Sequence, residues 1–114
     1  MKKEKIEDTL LSMGISAGTK GFTYITEAIM LLDTEEWRYP KWTALYNEIG
    51  KKYGTTWILA ERAIRRAFEV ARGAKGKYET VEHYIGFTYT SNSASLSQLY
   101  LMLKREEENE ESNA

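Results

Sequence analysis

Apolar side chains recur at helical spacing along most of this chain, and the breaks between the runs predict six helices. Ile6, Leu10 and Met13 mark the first, stopped by Gly14. Phe22, Ile25, Ala28, Ile29 and Leu32 mark the second, behind the breaker-rich Gly18-Thr19-Lys20-Gly21. Trp42, Leu45, Tyr46, Ile49 and Tyr53 mark the third, starting near Pro40, a favoured first-turn residue. The fourth spans about 56–72, with Thr55 as its expected N-cap and Gly73-Ala74-Lys75-Gly76 as its stop. A short fifth covers roughly 80–85, and a sixth roughly 95–106 carries Leu96, Leu99, Tyr100 and Leu103 on one face. Phe87-Thr88-Tyr89-Thr90 alternates but has no evident partner strand, so it is read as extended loop. The expected fold is all-α: one six-helix domain over 1–105, followed by an acidic tail over 106–114 expected to be disordered.

The third and fourth helices add a functional expectation. Between them Tyr53-Gly54-Thr55 reads as a tight turn, and Gly50 places a small residue inside the first helix of the pair. On a helical wheel Ala60, Ile64, Ala67 and Ala71 fall within about 40° of one line, with Trp57 and Phe68 on its shoulder. The small alanines allow the close approach that a helix-turn-helix corner needs. Opposite them lie Ile58, Arg62, Arg65 and Glu69, flanked by Glu61, Arg66 and Arg72. Arginine offers paired donors to guanine edges or phosphates, and a glutamate near the helix start can accept from cytosine N4. Lys51, Lys52, Thr55 and Thr56 are placed for the DNA backbone.

Charge changes the picture in the same direction. The 114 residues carry a net −1, which hides an asymmetry. Residues 1–37 hold four lysines against seven acids, for −3. Residues 38–77 hold ten Lys/Arg against three Glu, for +7, and residues 78–114 hold two against seven, for −5. Local charge governs attraction to a polyanion within a Debye length of about 8–10 Å. The basic third is the one that carries the helix-turn-helix pattern.

Other chemistry is sparse. There is no cysteine, hence no disulfide, thiolate nucleophile or zinc knuckle, and no apolar run approaches the roughly 20 residues that span a bilayer. The charged start, Met-Lys-Lys-Glu-Lys, does not lead into a signal peptide, and a cytoplasmic protein is expected. His83, the one histidine, has Glu79 and Glu82 nearby but no metal-site spacing. Gly73-Ala74-Lys75-Gly76-Lys77 lacks the phosphate-loop pattern and follows a helix, not a strand. No catalytic residues, metal, cofactor or small-molecule substrate are expected, and no enzyme.

Several ordered segments resemble one family, the C-terminal effector domain of the sporulation response regulator stage-zero sporulation protein A. Met13-Gly14-Ile15-Ser16-Ala17 and Lys20-Gly21-Phe22-Thr23-Tyr24-Ile25-Thr26-Glu27-Ala28-Ile29 carry it first. Leu45-Tyr46, the run from Ile49 to Thr56, Glu61-Arg62-Ala63-Ile64-Arg65, Glu69-Val70-Ala71 and Ile85-Gly86-Phe87-Thr88 follow in order. The resemblance covers roughly Leu10 to Leu103 and implies a six-helix domain whose fourth helix reads operator DNA. It implies Glu61, Arg62 and Arg65 as base-reading and phosphate-contacting positions. Arg66, flanking the outer face, is expected with Lys51, Lys52, Thr55 and Thr56 at the DNA backbone.

The chain departs from the family at Ile58-Leu59, where relatives carry polar or basic residues. These two either shift the preferred operator, through thymine methyls, or form a protein interface; Trp57 is either core edge or exposed contact. Ser93-Ala94-Ser95 lacks the basic and proline residues usual before the last helix. No receiver domain is read in these 114 residues; the initial Met and acidic tail favour a complete small protein over a piece of a longer one whose switch lies elsewhere. Expected partners are double-stranded DNA, with a homodimer on DNA or contact with the transcription machinery, and no membrane. The rival reading is a protein-interaction module that modulates a sporulation-type regulator or self-associates through Trp57, Ile58 and Leu59.

Overall fold

The computed structural model describes residues 1–113. Among them six helices and no strand occur: α1 (Lys3–Ser12), α2 (Lys20–Leu32), α3 (Trp42–Tyr53), α4 (Trp57–Gly73), α5 (Tyr78–Tyr84) and α6 (Asn92–Ser112). The all-α expectation is met.

α2 is the central helix. Phe22, Tyr24, Ile25, Ala28, Ile29 and Leu32 are buried, so little of its surface meets solvent. Such a helix must be enclosed by neighbours, and α1, α3, α4 and α6 all pack on it. Its start is set by Thr19, whose Oγ1 accepts from the Phe22 N–H at 3.3 Å. Before it, α1 ends at Ser12 with Met13 as C-cap, and the chain turns at Gly14, whose φ of +86° suits a residue without Cβ. Ile6 and Leu10 of α1, Leu45 and Ile49 of α3, Ile64 and Phe68 of α4, and Leu96, Leu99 and Leu103 of α6 complete one core. Each large aliphatic side chain in it contributes about 1.5–3 kcal/mol of burial.

Three boundaries differ from the sequence reading. Pro40 lies just outside α3, whose N-cap is Lys41. α5 begins earlier, at Tyr78. α6 runs from Asn92, capped by the Ser91 hydroxyl, through to Ser112, across most of the stretch expected to be a disordered tail. The reason lies in two carboxylates of its C-terminal half. Glu106 accepts from the Tyr84 hydroxyl at 2.8 Å and pairs with Lys5 at 3.4 Å. Glu107 pairs with Lys104 at 3.1 Å and with the Met1 ammonium at 3.3 Å. Acidic composition suggested solvation; here two of the acids tie the helix to α1 and α5. Ala114, the end of that stretch, lies outside the described residues.

Candidate nucleic-acid interface

The turn between α3 and α4 is built around two glycines. Gly54 follows α3 with φ +68°, a left-handed conformation that stops a helix without Cβ strain. Gly50, one turn earlier, accepts from the Thr55 N–H at 2.8 Å. A Cβ on Gly50 would lie 2.7 Å from the Thr55 carbonyl oxygen, so only glycine lets the turn fold back this closely. α4 then starts at Trp57. Its N-cap is Thr56, not Thr55: the Thr56 Oγ1 accepts from the Leu59 N–H at 3.2 Å. Thr55 is instead half-buried beside the first turn.

From that start the 3.6-residue period sorts α4 into rows. Ala60, Ile64, Ala67, Phe68 and Ala71 are buried. Ile58, Arg62, Arg65 and Glu69 form the opposite, exposed row, with Glu69 farthest from the N-terminal turns. Leu59, Ala63, Arg66 and Val70 form a third row facing the start of α2. There Lys20, Tyr24, Thr55, Leu59, Arg62 and Arg66 surround a shallow cleft of about 310 Å³. Lys20 thus joins Arg62 and Arg66 at one rim, a position the sequence reading had not assigned. Its cause is Gly21, where α2 and α4 touch: a Cβ there would lie 2.5 Å from the Ala63 carbonyl oxygen.

The remaining expected residues fall into different surroundings. Glu61 faces α6 more than the outer row. Its Oε1 accepts from Asn92 Nδ2 at 3.1 Å and from Arg65 Nη1 at 3.3 Å, while Asn92 also donates to the Glu61 carbonyl at 2.8 Å. Glu61 therefore holds Arg65 from a fixed base. Its charge also adds to burial in pushing the Tyr46 phenol up to about 12. Lys51 is exposed. Lys52 leans the other way, onto Glu27 of α2 and over the Tyr53 ring, and the carboxylate raises its pKa.

Arg72, placed by the wheel beside the outer face, turns inward. It donates from Nε to the Gly86 carbonyl at 2.8 Å and from Nη2 to Ser95 Oγ at 2.8 Å. Burial lowers its pKa, but guanidinium is basic enough to stay charged. Trp57, Ile58 and Leu59 are exposed, so Trp57 is not core. His83 sits edge-on to Tyr84, with Nε2 3.4 Å from Glu106 Oε2.

A capped, arginine-bearing helix behind a glycine-fixed turn now has a family to go with it: the model of the sporulation initiation factor Spo0A C-terminal family matches residues 6–106. The chain belongs to that family. The Spo0A C-terminal match starts within α1 and ends within α6, so it takes in the turn, α4 and every residue of the basic rim. The Spo0A C-terminal domain is a DNA-binding regulatory domain, so the family binds DNA and the chain is a DNA-binding regulator at that level. Among the described residues no helix is long and apolar enough to cross a membrane.

Proposed function

We propose that this chain is a sequence-specific transcriptional regulator that lays α4 in the major groove of operator DNA. The observation that carries the reading is the exposed row of α4, where Arg62 and Arg65 project from a helix whose start is fixed by the Thr56 cap and the Gly50–Thr55 turn. The N-terminal half of a recognition helix is the part that reaches base edges. Arg62 and Arg65 read bases, as paired donors to guanine O6 and N7. Glu61 positions Arg65 through Oε1 and presents Oε2 to cytosine N4. Lys51, Thr55, Thr56 and Arg66 hold the backbone, joined by Lys20; Lys52 joins them on release from Glu27.

A selection from random-sequence duplexes with the purified protein tests this. One enriched motif is expected, bound with an affinity that falls steeply with salt, by about 0.9 in the log–log slope per phosphate contact. Recovery of no sequence above the input pool at low salt would overturn the proposal.

A further inference from the structure

Three consecutive apolar residues open α4, and their exposures are 41% for Trp57, 48% for Ile58 and 50% for Leu59. They do not point the same way. Leu59 lies a quarter turn from Ile58 and lines the cleft with Tyr24 and Thr55. Ile58 stands one turn before Arg62 and two before Arg65, in their row. No acidic residue occupies the first turn of α4, and Glu61, three residues after Ile58, is held by Asn92 and Arg65.

An apolar side chain in line with two arginines, on a surface suited to a polyanion, needs an apolar partner on that polyanion. On base edges in the major groove there is one such group, the C5-methyl of thymine. We propose that Ile58 is a specificity-determining residue that packs on thymine methyls one helical turn ahead of the bases read by Arg62 and Arg65. The inference rests on the reading of α4 as a major-groove helix. It assigns Ile58 to DNA and leaves Leu59 to the cleft. A helix rises 5.4 Å per turn, so the thymines lie one to two base steps from the Arg62 contact.

The test uses the duplex returned by random selection, with each thymine replaced in turn by deoxyuridine, which lacks only the methyl. Dissociation constants are measured for the unaltered protein, Ile58→Ala and Leu59→Ala, with thermal melts confirming that both variants fold. The unaltered protein should lose roughly fourfold per buried methyl at one or two thymines beside the Arg62 and Arg65 contacts. Ile58→Ala should bind the thymine duplex more weakly by a similar factor and lose nothing further with deoxyuridine. Leu59→Ala should keep the full thymine dependence. Equal binding of thymine and deoxyuridine duplexes by the unaltered protein overturns the inference while leaving DNA binding intact, as does undiminished sensitivity in Ile58→Ala. Failure to bind any duplex removes both this inference and the function on which it rests.

Discussion

Gly21 and Ala63 meet backbone against backbone: a methyl on Gly21 would lie 2.5 Å from the Ala63 carbonyl oxygen and 2.6 Å from the Ala67 Cβ. This crossing of α2 over α4 brings Lys20 to the rim formed by Arg62 and Arg66. Gly21→Ala must push the helices apart, at about 1–3 kcal/mol for an overpacked core position. Urea unfolding should show that loss as a lower midpoint, and DNA affinity should fall with it as Lys20 moves off the rim. An unchanged midpoint would show that the crossing has slack.

Glu61 and Arg65 should act on DNA as a coupled pair. Because Oε1 of Glu61 holds Nη1 of Arg65, removing either should weaken binding, and removing both should cost less than the two losses added. A double-mutant cycle with Glu61→Ala and Arg65→Ala on the selected duplex reads this as a coupling above about 0.5 kcal/mol. Strict additivity would mean that Glu61 does not position Arg65.

Arg72 should separate stability from DNA binding. Its guanidinium fastens α4 to the loop after α5 and to Ser95 of α6. Arg72→Ala should cost about 1.5–3 kcal/mol in chemical denaturation, as for hydrogen bonds from a charged donor. Below the unfolding transition its DNA affinity should match the unaltered protein. A large affinity loss in fully folded Arg72→Ala would place this arginine at the DNA after all.

Asp33 predicts the acid limb of stability. Burial works against its ionisation, but hydrogen bonds from the Met1 ammonium, Tyr100 and Lys104 outweigh that and hold its pKa below 3.8. A carboxylate lowered in the folded state contributes stability that is complete above the unfolded value and is lost as pH falls through the folded one. Stability should therefore drop below about pH 4. Asp33→Asn should reduce stability at neutral pH and flatten that drop. An acid limb of equal steepness in Asp33→Asn would contradict the assignment.

What could be read from the chain alone was what local spacing encodes. The apolar rows of α2, α3 and α4 and the glycine turn at Gly54 depend on neighbours in sequence, and they appear as expected. What could not be read depends on which elements cross. Arg72 turns inward because Ile85, Gly86 and Ser95 come to it from later segments. Lys52 is held by Glu27 rather than free for the backbone because Glu27 lies across the α2–α3 contact. Glu61 is drawn toward α6 by Asn92, a pairing 31 residues apart in the chain. Lys20 had a signal of its own, the adjacent Gly21 opposite the small row of Ala63 and Ala67. The acidic end of α6 misled through composition, since Glu106 and Glu107 are tied down by partners from the start of the chain and from α5.

The central claim, that Arg62 and Arg65 on α4 read sequence, is tested most directly by comparing affinities for the selected duplex and a scrambled one at fixed salt. The protein should prefer the selected duplex by at least about a thousandfold. The double variant Arg62→Ala/Arg65→Ala should bind both duplexes with nearly equal, weak affinity. A preference that survives the double substitution would contradict the account, as would an unaltered protein that never distinguishes the two.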